Sequence, residues 1–230
     1  MNGFLLVDKP KGWTSFDVVN KIRFTLADHL KKSAKQLKVG HSGTLDPMAT
    51  GLLIILIGEF TKRQSEFMGL DKTYSAKITL GASSDTDDAD GIIIQTKGAR
   101  PINRRQLDQV LMEFKGQQLQ VPPQYSAIKK EGKRAYELSR RGQSVELEAR
   151  SITVVKLTDV EYDWPKVNLR LKVSSGTYIR SLARDLGQKL GVGGYLSGLI
   201  RERIGHFSLE DALVMDQLGG EQIEQNLRHS

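Results

Sequence analysis

Residues 40–57, GHSGTLDPMATGLLIILI, join a glycine-rich loop to an unbroken apolar run. Glycines let a backbone turn tightly and approach a ligand closely, and Pro47 biases Asp46 toward an extended conformation. The run LLIILI has the length and composition of a strand buried on both faces. The stretch therefore predicts an acidic side chain on a rigid loop ahead of a buried strand. Asp46 and Pro47 alone would also fit an ordinary turn, but their combination with three glycines and His41 is rare in a plain turn.

The elements on either side of this stretch mix strands and helices without a regular βαβ rhythm, which favours the α+β class. Thr14 or Ser15 can cap the first helix, and Asn103 and Gly191 mark the start and the end of later ones. The apolar face of the first helix is predicted to contain Phe16, Val19, Ile22 and Phe24. The predicted strands are 3–8, 52–58, 73–80, 92–95, 152–162 and 167–174, and the predicted helices are 14–29, 103–115, 178–190 and 209–218.

The amino-acid composition limits the classes of protein to which this chain can belong. The 230 residues are 39% apolar and 27% charged, as in a globular protein with a substantial core. No apolar run approaches the roughly 20 residues of a membrane-spanning helix, and the first residues lack the features of a signal peptide, so we predict a cytoplasmic protein. The absence of cysteine excludes thiolate zinc sites and cysteine nucleophiles, and with them zinc deaminases and methylation through a cysteine adduct.

The charge balance favours a polyanionic partner. The formal net charge is +7 and the pI is about 9.5, which suits nucleic acid, although a generic basic surface is the alternative. Two basic clusters favour nucleic acid because they are interleaved with apolar and aromatic residues. The first cluster is Lys31, Lys32, Lys35 and Lys38, and the second is Lys129, Lys130, Lys133, Arg134, Arg140 and Arg141.

Several motifs point to one family. GHSGTLDPMATGLL resembles the catalytic motif of the TruB family of tRNA pseudouridine synthases. Further blocks match that family in its own order: LLVDKPKGWTSFDVV, DKTYSAKITLG, SDTDDADG, PPQYSAIKKEGKRAYELSRRG and SSGTYIRSLARDLG. Because ordered blocks extend from about residue 3 to residue 218, chance similarity is very improbable.

The resemblance implies a mixed, mostly antiparallel sheet flanked by helices. Residues 1–218 would form the catalytic domain, with a basic, thumb-like insertion at about 117–150, and residues 219–230 a short tail in place of the PUA-type RNA-binding domain that commonly follows. The implied reaction converts uridine to pseudouridine at position 55, in the TΨC arm of tRNA, by base flipping. It needs no cofactor and no metal, and the implied enzyme is a monomer that binds tRNA without a guide RNA or a membrane.

The resemblance also assigns residues. Asp46 is the implied catalytic carboxylate, acting as nucleophile or stabilising positive charge on the sugar. Arg180 would pair with it and oppose its protonation. Tyr74 would stack on the flipped base and assist removal of the C5 proton, and His41 would fill space that the flipped bases vacate. Lys62, Tyr178 and Leu199 would bind the substrate, and Lys129, Lys130, Lys133, Arg134 and Arg141 the RNA backbone.

Without the family resemblance, several of these residues would have a structural rather than a catalytic role. Arg180 would then be a surface arginine in a solvent ion pair, and Tyr74 and Leu199 core residues. The family usually has two adjacent arginines where this chain has Ile200 and Arg201. This departure predicts that one phosphate or structural contact is missing or has moved to Arg203.

Two rival functions and one metal site also fit parts of the sequence. The same chemistry within a guide-RNA complex is the first rival, and a catalytically inactive tRNA-folding helper is the second; the joint presence of Asp46, Tyr74 and Arg180 argues against the helper. SDTDDADG suggests a calcium loop, but aligning Gly91 with the required glycine puts Lys97 where the bidentate glutamate belongs. We therefore predict a tight acidic turn.

Overall fold

The computed structural model describes residues 1–126 and 146–229 and, for the backbone alone, residues 129–130 and 133–134. The strands are β1 Gly3–Lys9, β2 Val39–His41, β3 Thr50–Ile57, β4 Lys72–Leu80, β5 Ala82–Ser84, β6 Ile93–Gln95, β7 Gly116–Gln120, β8 Lys129–Lys130, β9 Lys133–Arg134, β10 Arg150–Asp163, β11 Lys166–Val173, β12 Gly194–Ile204, β13 Phe207–Ser208 and β14 Leu213–Val214. The α-helices are α1 Ser15–His29, α2 Gln64–Gly69, α3 Arg104–Glu113, α4 Ile179–Lys189 and α5 Gly220–Gln225.

The chain divides into two compact units. Unit 1 contains Met1–Ser75 and Leu199–Ser230, and unit 2 contains Ala76–Gly198. In unit 1 the strand order is β14-β1-β3-β12, with β1 antiparallel to β3. In unit 2 the order is β4-β11-β10-β7, and β10 is antiparallel to both neighbours. The predicted α+β class with a mostly antiparallel sheet is confirmed.

The run LLIILI is apolar throughout because both faces of β3 are covered. Alternate side chains of a strand point to opposite faces. Leu53, Ile55 and Ile57 pack with α1 in one cluster, whereas Leu52 and Ile54 pack with aromatic residues in another. The second cluster is completed by Phe4, Leu6, Leu56, Phe67, Ile204 and Phe207.

Helix α1 begins as predicted and buries two of the four residues predicted for its apolar face, Val19 and Ile22. The Thr14 side chain accepts from the Asp17 backbone N–H, and the Asp17 carboxylate accepts from that of Thr14, which forms a capping box. Phe16 and Phe24, predicted to be on the buried face, are 59% and 63% exposed. The buried residues follow the spacing of three and four that keeps side chains on one face of a helix. They include Val18, Val19, Ile22 and Leu26.

Two other expectations were wrong. The helix predicted at 209–218 is two 3₁₀ turns flanking β14, which pairs in parallel with β1. Residues 219–230, expected to be a short tail, contain α5, whose Ile223 is fully buried with Leu218 in the α1 cluster. Tertiary packing overrode the local pattern in both segments, because short apolar periodicity fits a helix and a strand alike.

The predicted insertion begins with a strand. Residues 116–120 form β7, which pairs with β10 so that Gln120 lies opposite Arg150. The residues between these two partners contain the predicted thumb. Within the predicted thumb, residues 129–130 and 133–134 are described by their backbone alone, and residues 127–128, 131–132 and 135–145, which include Arg141, lie outside the described residues.

Candidate active site

The loop between β2 and β3 presents Asp46 between two buried neighbours. Leu45 is 3% and Met48 5% exposed, whereas Asp46 is half-buried. The Ala49 backbone N–H donates to the Asp46 carbonyl at 3.1 Å and closes a tight turn. The carboxylate is therefore accessible on a loop whose flanking side chains are fixed in the core.

The segment between β1 and α1 holds this loop from one side. The Ser15 hydroxyl donates to the Leu45 carbonyl at 3.1 Å and accepts from the Leu45 N–H at 2.8 Å. The Gly12 N–H donates to the Pro47 carbonyl at 2.8 Å, in a backbone with φ +84°. These bonds restrain the backbone on both sides of Asp46.

Lys9 is a buried cation beneath the same loop. Its Nζ donates to the carbonyls of Pro10 at 2.9 Å and Trp13 at 2.7 Å, and is 3.5 Å from that of Pro47. Burial lowers the pKa of Lys9 to about 8, while the Asp46 carboxylate opposes the change. Lys9 had no predicted role beyond the motif that contains it.

Arg201 holds the loop from β12. Its side chain, 2% exposed, donates from Nε to the Leu52 carbonyl at 2.7 Å. Its Nη atoms reach the carbonyls of Thr44 at 3.4 Å and Gly43 at 3.3 Å. Gly51 lies opposite Arg201, and a Cβ on Gly51 would clash with the Arg201 carbonyl oxygen. Arg201, at the second position of the expected arginine pair, therefore has a structural role. The sequence did not predict its partners.

A phosphate contact of Arg203, in place of the arginine expected at position 200, stays a prediction. The Arg203 guanidinium donates to the His206 carbonyl at 2.9 Å, within its own hairpin. Ile200, at the first position of the expected pair, is 39% exposed.

Replacing Arg201 by methionine is expected to lower the free energy of unfolding and the rate of catalysis together. Methionine keeps volume but leaves the Leu52 carbonyl without this donor, and a buried acceptor without a partner costs roughly 1–3 kcal/mol. Urea unfolding and single-turnover kinetics would measure both effects. The matched control is Arg203→Met, expected to change stability by less than about 0.5 kcal/mol. Equal stability of the two variants would contradict the anchoring role.

His41 ends β2 beside a cavity of about 270 Å³. Its carbonyl accepts from the Gln64 side chain at 2.7 Å, and its Nδ1 is buried without a hydrogen-bond partner. Burial, and to a lesser extent the positive charge of Arg201, lower the pKa of the His41 imidazole. A neutral ring at neutral pH suits the predicted role of filling space within a base stack.

The other predicted site residues of unit 1 differ in exposure. Tyr74 on β4 and Leu199 on β12 are each 8% exposed. Lys62 is 69% exposed and forms an ion pair with Glu59. Burial of Tyr74 and Leu199 agrees with both a pocket and a core position, so their roles stay predictions.

Arg180 and Tyr178 lie in unit 2, at the start of α4. Arg180 is 6% exposed, so its interpretation as a surface arginine is wrong. Its guanidinium donates to the carbonyls of Thr86 at 3.2 Å and Tyr125 at 3.0 Å, and its Nε is 3.5 Å from the Asp88 carboxylate. The pairing of Arg180 with Asp46 stays a prediction.

The acidic turn uses its carboxylates within the chain. Asp85 accepts from the Ile92 N–H at 2.7 Å, and Asp88 from the Thr86 hydroxyl at 2.6 Å. Asp87 accepts from Arg184 at 2.9 Å, while burial raises its pKa. Among the residues that the structure describes, no group of three or more His, Asp or Glu side chains is arranged to hold a metal ion.

The first basic cluster is exposed, with Lys31, Lys32, Lys35 and Lys38 all open to solvent. In the second cluster, the side chains of Lys129, Lys130, Lys133 and Arg134 lie outside the described part of the chain, as does Arg141. None of the helices in the described ranges has the length and apolar content needed to cross a bilayer.

Comparison with known proteins places these features in a family context. A family model described as TruB family pseudouridylate synthase (N terminal domain) matches residues 31–179. The tRNA pseudouridine synthase B of Phocaeicola vulgatus is 45% identical over 92% of this chain and 89% of its own length. Its namesake from Parabacteroides distasonis is 44% identical over 97% of this chain and 94% of its own length.

Solved structures agree on the fold. A chain of a Cbf5-Nop10-Gar1 complex superimposes with a TM-score of 0.70 at 29% identity, over 94% of this chain and 53% of that one. A chain of an H/ACA RNP bound to a substrate RNA containing 2′-deoxyuridine gives a TM-score of 0.67 at 27% identity, over 94% and 52%. This chain thus spans about half the length of those solved chains.

Proposed function

The chain belongs to the TruB family of pseudouridylate synthases, and on this premise we propose that it isomerises uridine to pseudouridine at position 55 in the TΨC arm of tRNA. The observation that carries the proposal is the setting of Asp46, an accessible carboxylate on a loop that Ser15, Gly12 and Arg201 hold by its backbone. A group fixed in this way needs little reorganisation when a flipped nucleotide arrives, which is how positioned groups accelerate reactions.

The proposed reaction rearranges one nucleoside without electrons from outside. The bond from the ribose C1′ to the base N1 breaks, and the Asp46 carboxylate attacks or stabilises the positive charge at C1′. The uracil leaves with the bonding electrons on N1 and turns over, and its C5 then forms the new bond to C1′, which releases the Asp46 carboxylate. The C5 proton leaves with help from the Tyr74 hydroxyl, and N1 takes up a proton in its place. Arg180 would keep the carboxylate ionised, and Tyr178, Leu199 and Lys62 would hold the uridine. No cofactor and no metal are needed.

The proposed enzyme also has a domain organisation, a cellular compartment and a mode of action. Residues 1–218 would form the catalytic domain together with α5, whose Ile223 packs in the same core, and a basic insertion at 117–150 would lie over the RNA stem-loop. The protein would work in the cytoplasm as a monomer, without a guide RNA. The absence of a guide RNA is supported by the relatives named tRNA pseudouridine synthase B, which are 44–45% identical over most of this chain. The chain from the Cbf5 complex is only 29% identical.

The decisive experiment maps pseudouridine in unmodified tRNA after incubation with the purified chain and no other component. We expect modification at position 55 and at no other uridine of the same tRNA. A requirement for an added RNA would favour the guide-dependent alternative, and tRNA binding without any product would favour the folding helper.

Affinity for tRNA is expected to fall linearly with salt on logarithmic axes, because bound phosphates release their counterions. Replacing Lys129, Lys130 and Lys133 by glutamine should flatten the slope by about one unit for each phosphate that the protein no longer neutralises. Binding titrations at several salt concentrations would measure it. The control is Lys97→Gln, at an exposed lysine outside both clusters. If the slope of the triple variant matches that of the control, the RNA lies on another face.

A further inference from the structure

Gln120 is a buried polar residue for which the proposed reaction has no use. It ends β7, and its side chain is 3% exposed. The side-chain amide donates to the Tyr178 carbonyl at 3.0 Å and accepts from the Tyr178 N–H at 2.9 Å. One amide group thus binds both backbone groups of one residue, as a neighbouring strand would.

The residue held in this way is the N-cap of α4. Tyr178 has extended backbone angles, φ −98° and ψ 112°, and no side-chain capping bond at the helix start. Its carbonyl also accepts from the Leu182 N–H at 3.2 Å in the first turn of the helix. Gln120 therefore binds at the point where extended chain becomes helix, two residues before Arg180.

Other contacts between α4 and residues 121–125 restrain the helix at later positions. The Ser181 hydroxyl and the Arg184 guanidinium donate to the Val121 carbonyl at 2.9 Å and 3.0 Å, and Arg180 donates to the Tyr125 carbonyl. With these bonds intact, loss of the Gln120 amide would leave the helix in place and remove two hydrogen bonds that fix the φ and ψ angles of Tyr178. A rotation there swings the tyrosine ring and shifts the first turn.

We propose that Gln120 is a positioning residue that fixes the backbone of Tyr178 and thereby sets the tyrosine ring and Arg180 for the reaction. The inference rests on the proposed function, in which both residues serve the uridine site. It predicts that Gln120 acts on the chemical step rather than on RNA binding.

Gln120→Ala is expected to lower kcat by about 10- to 100-fold, since a displacement of about 1 Å can cost that much, while KM and tRNA affinity stay within about twofold of wild type. The matched control is Gln118→Ala, in the same strand, whose side chain donates to the Phe114 carbonyl at 2.7 Å; its kcat should be unchanged. Hydrogen exchange gives a readout apart from activity: the Tyr178 amide should lose protection in Gln120→Ala and keep it in Gln118→Ala.

Gln120→Glu tests the pair of hydrogen bonds between this side chain and the Tyr178 backbone, and it does so even if the alanine variant folds poorly. A protonated carboxyl group can donate and accept like the amide, whereas a carboxylate can only accept. Because burial raises the pKa of a carboxyl group, kcat relative to wild type should rise as the pH falls from about 8.5 to about 6.

A kcat of Gln120→Ala equal to wild type, unchanged protection of the Tyr178 amide in that variant, or the same losses in Gln118→Ala would each overturn the proposal. Absence of product from the wild-type chain would instead overturn the proposed function, and the exchange measurement would still decide whether Gln120 holds Tyr178.

Discussion

Asp46→Asn is expected to fold and bind tRNA like wild type and to form pseudouridine at below about a thousandth of the wild-type rate. Asparagine is nearly isosteric but cannot act as an ionised nucleophile or stabilise a positive charge. The loop should persist because its anchors use backbone atoms of Leu45 and Pro47, together with the Asp46 carbonyl. Product mapping, tRNA binding and thermal unfolding would test the three parts of this expectation.

Asp8→Asn is the control for charge alone. Asp8 and Asp46 both act on the Lys9 ammonium through their negative charge, but Asp8 lies on β1 rather than on the loop. Its variant should keep full activity. Turnover of Asp46→Asn above about a thousandth of wild type would make Asp46 a supporting residue and remove the proposed mechanism.

Tyr74→Phe is expected to bind tRNA and cleave the glycosidic bond, yet to release little pseudouridine. General acid–base assistance typically contributes about 10²–10⁴-fold, so loss of the hydroxyl should be plain in kcat. Tyr74→Leu should in addition lose stacking on the base, which is worth about 1–3 kcal/mol. Separate assays of bond cleavage, product release and tRNA affinity would distinguish the two duties.

Tyr162→Phe is the matched control, because its hydroxyl donates to the Ile102 carbonyl at 2.7 Å within unit 2. It should lose a hydrogen bond and keep its activity. Full activity of Tyr74→Phe would leave stacking as the only role of Tyr74. Full activity of both Tyr74 variants would mean that Tyr74 is a core residue.

Helix caps and apolar periodicity in the sequence predicted the elements that depend on a few neighbouring residues. The Thr14 cap, the Asn103 cap and the strand before Gly58 were each placed within about two residues, because caps and periodicity act over a few positions. The predicted apolar face of α1 was right for Val19 and Ile22 and wrong for Phe16 and Phe24, which are large and apolar but lie away from the spacing that Val18 shares with Ile22.

The anchors of the candidate site could not be predicted in the same way. Arg201 and Lys9 are charged and therefore expected at the surface, yet both are fully buried. Their partners are backbone carbonyls, which every residue has, so no residue type in the loop reveals them. Gln120 is hidden for the same reason, since its partner is the backbone of Tyr178, far away in the sequence.

During synthesis the two segments of unit 1 are separated in time, because all of unit 2 is translated between them. The core of unit 1 joins Leu5 and Leu53 to Leu218 and Ile223, with all of unit 2 between them in the sequence. At about 5–20 residues per second, the roughly 120 residues of unit 2 take on the order of 6–25 s to synthesise. During that time the apolar faces of β1 and β3 lack the part of their cover that Phe207, Leu218 and Ile223 supply. Slower translation of residues 76–198 would lengthen the exposure of this apolar surface and raise the risk of aggregation.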